Sequence, residues 1–273
     1  MRRDVWDRVA NDAPSSWYLD PLVARQKQAK NLALIRRWTL HLPFNTVLKT
    51  DLFEEANGED DLLPSLPAAK TVIGMDLAHT VVARASKRYQ GGAGLFLTTD
   101  VRRIGLASNS VDLIVSNSTL DHFAAAEDFH ASIQELTRIL RPGGSIIVIL
   151  DNPKNPMYRP LRWMCQFRWA PFPLGVTTSL AGLRSSLEDA GLEVNETDYL
   201  IHNPRLISTA AYLAVRGLLG RFADRPIGML LNAFDLFDRL PTRAYTACFV
   251  AVCGTKRPGP RLPVQRPQRY ELH

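Results

Sequence analysis

The chain is poor in cysteine: Cys165, Cys248 and Cys253 are the only three in 273 residues. They are too few and too scattered for a disulfide framework or a zinc site, and no metal is expected. Cys248 and Cys253 share one apolar run and read as buried core thiols. Long apolar runs are scarce as well. The most apolar late stretch, Leu206 to Phe234, is broken by Arg216, Arg221, Asp224, Arg225 and Pro226, which argues against a stable membrane span. Met1-Arg2-Arg3 is followed by Asp4, Asp7 and Asp12 rather than an apolar h-region, so no secretory signal is expected and the expected location is cytoplasmic. No internal repeat is visible. Glycine is missing where a nucleotide loop needs it: Val47-Leu48-Lys49-Thr50-Asp51-Leu52-Phe53-Glu54-Glu55-Ala56-Asn57-Gly58 holds none before Gly58. Without a Gly-x-Gly-x-x-Gly after the first strand, a nicotinamide-dependent oxidoreductase is disfavoured.

A central basic surface is absent too. The net charge is +6, but residues 1–46 hold eight Lys/Arg against four Asp and 256–273 hold five against one, leaving 47–255 at −2. The basicity is terminal, so the middle of the chain does not form a phosphate groove and no nucleic acid is expected as partner. Hydrophobic residues at 46% and charged residues at 22% suit a globular protein with a sizeable core.

What is present is a regular alternation. Trp17-Tyr18-Leu19-Asp20-Pro21 leads into Leu22–Leu42, where apolar positions at helical spacing predict a helix with a basic outer face. Strand signals follow at Thr46–Thr50, Thr71–Asp76, Leu95–Thr99, Ser110–Asn117, Ser145–Leu150, Leu192–Ile201 and Ala244–Gly254. Helices are expected at Val81–Arg88, Ala124–Leu140 and Ser179–Ala190. Gly91-Gly92-Ala93-Gly94 punctuates the chain before the third strand, and Arg141-Pro142-Gly143-Gly144 is expected to stop the longest of these helices. Strands alternating with helices predict a parallel sheet covered on both faces. Pro153–Pro173 is an aromatic connection with Tyr158, Trp163, Phe167, Trp169 and Phe172, and either lines a pocket or packs over the sheet. Pro204–Leu240 is a helical insertion, readable as a roof over an apolar pocket, as plain core packing or as a homodimer interface. Lys256–His273, rich in proline, is expected to be disordered.

Val72–Asp76, Thr99-Asp100, Ser108–Asn117, Leu120-Asp121-His122-Phe123 and the phrase Glu-Leu-Thr-Arg-Ile-Leu-Arg-Pro-Gly-Gly at 135–144 together resemble the class I S-adenosylmethionine-dependent methyltransferases, of the type 11-like kind. The resemblance covers about residues 46–152, and the later helix and strands fit the remainder. It implies a doubly wound, Rossmann-like α/β fold: a seven-stranded sheet whose last strand is antiparallel, with an N-terminal helical segment or lid at 1–45, the methyltransferase-like domain at 46–255 (insertion 204–240) and the tail at 256–273. S-adenosylmethionine is the implied cofactor, over the carboxyl ends of the first four strands, where open α/β sheets bind ligands in general.

Carried over by position, Asp76, with Leu77 beside it, would take the ribose hydroxyls. Asp100 with Val101 would meet the adenine, and Asn117 and Ser118 would line the methionine end. Helix capping or loop solvation is the bland alternative for the two acids. The family's Asp-x-Gly-x-Gly-x-Gly is replaced by Lys49 to Glu55, and two outcomes compete. In one, Asp51 and Glu54 or Glu55 hold the ammonium and complement the sulfonium by charge, with Asn57-Gly58 as a later turn. In the other, Phe53 fills the pocket. His122 is the best-placed candidate base, since imidazole titrates near neutrality; alternatively it opens the next helix or only shapes the pocket. His41, His79, His130 and His202 show no partner pattern. The turn Asn117-Ser118-Thr119-Leu120 lacks the Asn-Pro-Pro-Tyr-like phrase of base methylation. The expected activity is methyl transfer to a small apolar or aromatic acceptor; the alternative is a methyltransferase-fold protein that has lost transfer and serves as a binding or partner subunit.

Overall fold

A computed structural model describes residues 3–12, 20–40, 42–58, 60–90, 94–167 and 174–257. The Pro-rich tail from 258 on, the Gly91–Ala93 turn, and Trp17, Tyr18, His41, Trp169 and Phe172 lie outside the described residues.

Seven strands form one sheet: β1 (Phe44–Lys49), β2 (Ala69–Asp76), β3 (Gly94–Thr98), β4 (Val111–Asn117), β5 (Leu140–Asp151), β6 (Leu192–His202) and β7 (Ala247–Lys256). Their order is β3-β2-β1-β4-β5-β7-β6. Strands β1 to β5 pair in parallel, and β7 runs antiparallel between β5 and β6. This is the doubly wound, Rossmann-like arrangement with an antiparallel last strand that the sequence led us to expect.

Side-chain alternation builds the core on both faces. Val47, Leu113, Val115, Ile147 and Ala251 point to one layer, packed with Leu34, Ile35 and Trp38 of α2 (Pro21–Thr39) and with Val81, Val82 and Ala85 of α4 (His79–Arg88). Leu48, Ile114, Ile146, Val148 and Val250 point to the other, against Phe129, Ile133 and Leu136 of α5 (Ala126–Ile139) and Leu183 and Leu187 of α7 (Leu180–Asp189). The helices start where their sequences say they should. Pro21 opens α2 behind Asp20, whose Oδ1 accepts from the Leu22 amide at 2.9 Å, and Ser179 caps α7 through the Gly182 amide.

The last strand starts at Ala247 rather than Ala244, because Arg243–Thr246 is helical, and the start of the fifth strand differs most from expectation. The Arg141–Gly144 turn does not stand between α5 and the fifth strand; β5 begins at Leu140, which pairs with Val111, and the turn is an irregularity in register before Leu113 meets Ser145. Gly143, at φ 79°, takes the left-handed conformation that this bulge requires.

Three further pieces surround the carboxyl ends of the strands: α1 (Arg3–Asp12), α3 (Phe53–Asn57) after β1, and α6 (Tyr158–Met164) after β5. The segment between β6 and β7 is helical, as expected, with α8 (Arg205–Leu219) and α9 (Asp224–Asp235) packed on α2 through Val23, Tyr212, Ala223, Ile227 and Leu231. The strand order reverses between β1 and β4, and the crevice at that reversal is the site.

Candidate active site

The crevice is a cleft with about 860 Å³ of empty space, its open mouth included, walled by residues from the ends of β1, β2, β4 and β5 and by α1, α2 and α8. Of the residues singled out in the sequence, Asp51, Glu54, Asp76, Leu77, Val101, Ser118 and His122 come together on its walls. Glu55, Gly58, Asp100 and Asn117 do not line it.

Charge explains the largest of these departures. Lys49 occupies the position where the resembled family has its motif I aspartate. Its ammonium is buried, 2.8 Å from the Glu55 carboxylate, and also donates to the Asp51 carbonyl. Glu55 Oε1 accepts from the amides of Leu62 and Leu63, each at 3.0 Å. Burial works against the charge on Lys49, yet the carboxylates of Glu55 and Asp51 push its pKa up. Glu55 is therefore committed beneath the loop and unavailable to a ligand above it.

Shape explains how the loop closes without its glycines. Leu52 lies over Gly74 of β2, where a Cβ would come within 2.6 Å of Leu52 Cδ2. The glycine missing from the loop is thus matched by one on the neighbouring strand, in register with Lys49. Gly58 plays a similar part: a Cβ there would stand 2.3 Å from Glu54 Oε2. It makes room for Glu54 and Asp60, which share Lys27 of α2 at 3.2 and 2.5 Å. Burial raises the Glu54 carboxyl to about 8 despite Lys27, with the Asp60 charge adding to the effect. Asp60, against the pull of burial, is held below its ordinary value by Lys27 and Glu54.

At the end of β2, Asp76 accepts from the Leu52 amide at 3.1 Å and the Ala78 amide at 2.8 Å. Burial and then the neighbouring Asp51 push its carboxyl up to about 8, against those two amides. Asp51 in turn takes the Phe53 amide at 2.7 Å. The first amides of the loop and of α3 are therefore used by the chain's own acids. Phe53 does not fill the cleft. It stands in the wall, largely buried, edge-on to Trp6 at 6.1 Å.

Asp100 sits behind the wall because Arg102 grips both its oxygens, at 3.0 and 2.6 Å, and reaches on to Asp128 at 2.7 Å. Arg102 lowers the Asp100 pKa against the opposing effect of burial. Asn117 is buried within β4, and the turn that follows, with Ser118 at φ 52°, brings Ser118 and Thr119 to the cleft instead.

At the other end of the cleft, His122 meets Trp6 edge-on at 4.7 Å and lies 3.9 Å from Asp121 Oδ1. Asp121 is buried, its Oδ2 accepting from the Asp151 amide at 2.9 Å, while Oδ1 has no hydrogen-bond donor among the described residues. Burial raises its carboxyl to about 6, His122 pulling it down and Asp151 adding to the rise. Asp151 pairs with Arg205 at 2.5 Å.

Sequence reasoning missed Trp6, Lys27, Asp151, Arg205 and Phe249, all in the wall. Asp151 had a signal, an acid closing the fifth strand as Asp76 closes the second. Trp6 had none, because tertiary contacts place it: Arg3 donates to the Leu77 carbonyl at 3.2 Å, Asp7 caps α4 through the Thr80 amide at 3.0 Å, and Arg84 holds the Ala10 carbonyl at 2.5 Å. No cluster of metal-binding side chains occurs among the described residues.

A seven-stranded sheet of this order, with acids at its strand ends around a switch-point cleft, is the class I methyltransferase fold, and residues 57–148 match the family described as "Methyltransferase domain". Among solved structures, the chain is similar to a Haloferax volcanii protein determined in complex with the Trm112 methyltransferase activator, at 15% identity and TM-score 0.61, covering 96% of this chain and 100% of that one. It is similar to a SAM-dependent methyltransferase from Thermotoga maritima (16%, TM-score 0.56, 86% and 92% covered). It is also similar to the N-methyltransferase NodS of Bradyrhizobium japonicum, bound to S-adenosylhomocysteine (14%, TM-score 0.53, 90% and 89% covered). These likenesses show the fold. No curated protein matches the chain.

Proposed function

We propose that this protein is an S-adenosylmethionine-dependent methyltransferase acting on a small apolar or aromatic acceptor. The observation that carries the reading is the pair Asp51 and Asp76 at the ends of β1 and β2: two carboxyls crowded in the cleft where a cationic, diol-bearing cofactor would relieve both. The donor set fits such a group. A carboxylate has about four lone-pair positions, and the Leu52 and Ala78 amides use two of those on Asp76, leaving the others for ribose hydroxyls. Met75, Leu77 and Val101 give apolar walls for adenine. Asp51 and Glu54 suit the ammonium and the positive sulfur, and Lys27 the carboxylate. Because the loop amides are taken by Asp51 and Asp76, charge does the work that glycine-loop backbone does elsewhere.

Bound there, S-adenosylmethionine would supply a methyl group activated by its sulfonium. The chain's own contribution is to hold the acceptor in line with it and to exclude water, which accounts for most of the acceleration in such a displacement. Trp6, Phe53 and Phe249 form the dry walls. His122 accepts a proton from the acceptor when the attacking atom carries one, and the Asp121 carboxylate nearby favours the imidazolium that results.

Calorimetric titration with S-adenosylmethionine and S-adenosylhomocysteine tests the reading. Binding is expected, with Asp76→Ala weakening it at least about tenfold, the loss of two charge-assisted hydrogen bonds. Absence of binding at millimolar cofactor would leave the fold as a binding or partner subunit, and an unchanged affinity in Asp76→Ala would refute the placement of the ribose.

A further inference from the structure

The segment between β6 and β7 turns outward what helices ordinarily hide. The exposed face of α8 is Ile207, Ala210, Leu213, Ala214, Gly217 and Leu218, spaced by three and four residues. It forms a stripe roughly 17 Å long without one polar side chain. The residues α8 buries are Ser208 and Tyr212. The apolar surface continues past the helix end: Leu218 is 83% exposed, Phe222 on the connecting turn 69% and Met229 of α9 74%.

The charges around this surface are one-sided. Asp224 is matched by Arg216 at 2.7 Å, Asp235 by Lys30 at 2.9 Å and Asp238 by Arg243 at 4.0 Å. Arg221, Arg225 and Arg239 are exposed and have no carboxylate partner among the described residues; Arg221 lies over the Phe222 ring at 5.0 Å. A second copy of the chain is a poor occupant, because a two-fold contact sets the same patch against itself and would press arginine against arginine. An anionic lipid surface satisfies both parts, taking the apolar stripe among its acyl chains and the arginines at its headgroups.

We infer that α8 and α9 dock this protein peripherally on an anionic lipid surface. No helix among the described residues is long and apolar enough to cross a membrane, so the contact lies in the interface. The docked orientation has a consequence for the cleft. Arg205, the first residue of α8, lines the cleft, and Ile207 two residues later opens the stripe. Trp163, 61% exposed, belongs to α6, the helix whose Tyr158 and Leu161 share a small cavity with Arg205. Indole side chains suit the headgroup level. The mouth of the cleft is thereby presented to lipid, the phase in which an apolar acceptor dissolves. The docking itself does not rest on methyl transfer.

The test is co-sedimentation of the full chain with phosphatidylglycerol–phosphatidylcholine vesicles and with pure phosphatidylcholine vesicles, alongside its molar mass by light scattering. Binding to the anionic vesicles is expected, weakening as salt rises. The triple variant Leu218→Glu/Phe222→Glu/Met229→Glu and the double variant Arg221→Glu/Arg225→Glu should each reduce it at least about tenfold. All five side chains are exposed, so circular dichroism and the unfolding midpoint should stay those of the unaltered chain. Failure of the unaltered chain to sediment with anionic vesicles overturns the inference. So does binding that survives both variants, which would assign it to the basic tail. A dimer that the triple variant turns into a monomer, without vesicle binding, would make this face a self-interface instead.

Discussion

The buried pair Lys49–Glu55 makes a quantitative prediction. Its side chains are 1% and 0% exposed, its N···O distance is 2.8 Å, and Glu55 also anchors the amides of Leu62 and Leu63. Lys49→Met removes the cation and leaves the Glu55 carboxyl buried without its counter-charge, at a cost of about 3–5 kcal/mol. Glu55→Gln strands the ammonium with the Asp51 carbonyl and a neutral amide, at a similar cost of about 3 kcal/mol or more. The double variant Lys49→Met/Glu55→Gln leaves no buried charge, and the glutamine oxygen can still receive both amides. It should therefore stand within about 2 kcal/mol of the unaltered protein, the residual loss being the hydrogen bond to Asp51. Urea unfolding followed by tryptophan fluorescence measures all four corners of the cycle. The expected coupling energy is about 4 kcal/mol or larger, above the usual range for residues in contact because a charge is buried. Single variants that each cost under about 1 kcal/mol, or a double variant as unstable as the two losses combined, would refute the account of how this loop tolerates lysine.

Three other outcomes are expected. Gly74→Ala, which places a methyl group 2.6 Å from Leu52 Cδ2, should destabilise by about 1–3 kcal/mol, and the double variant with Leu52→Ala should lose less than the two single losses combined; an additive double variant in urea unfolding counts against that packing. Glu54 and Asp76 hold protons up to about pH 8 in the folded state, whereas free carboxyls lose them near pH 4. Folding thus takes up protons, and stability should fall as pH rises from 6.5 to 8, by up to about 1.4 kcal/mol per unit for each group; a urea midpoint that rises over that interval contradicts this. If His122 is the base, His122→Ala should lower kcat by roughly 10²-fold with little change in KM, and its effect should vanish with an acceptor whose attacking atom carries no proton.

What could be read from the sequence follows from what is local. Strand periodicity and the acids at strand ends are encoded in short stretches, so the sheet, Asp76 and the Val101 turn were legible. Asp100 was found at its strand end, but Arg102 two residues on claims its carboxylate in a geometry that spacing alone does not reveal. The Glu54-Glu55 pair looked like two equivalent acids. Being adjacent on one turn they point apart, Glu54 into the cleft and Glu55 down to Lys49. Trp6 reached the cleft through contacts with residues about 70 positions away. The start of the fifth strand was misplaced because Pro142 and the two glycines read as a break before it, whereas the neighbouring strand's Val111 already captures Leu140.

Leu52 and Gly74 are complementary in shape, and that ties two distant positions into one inherited unit. A side chain gained at 74 would collide with Leu52, and a glycine gained at 52 would leave a hole over 74. Neither can drift alone without a loss of fit, so in descendants of this chain the two should change together or not at all. The same coupling lets the loop after β1 close without glycine while the crevice above it keeps its shape.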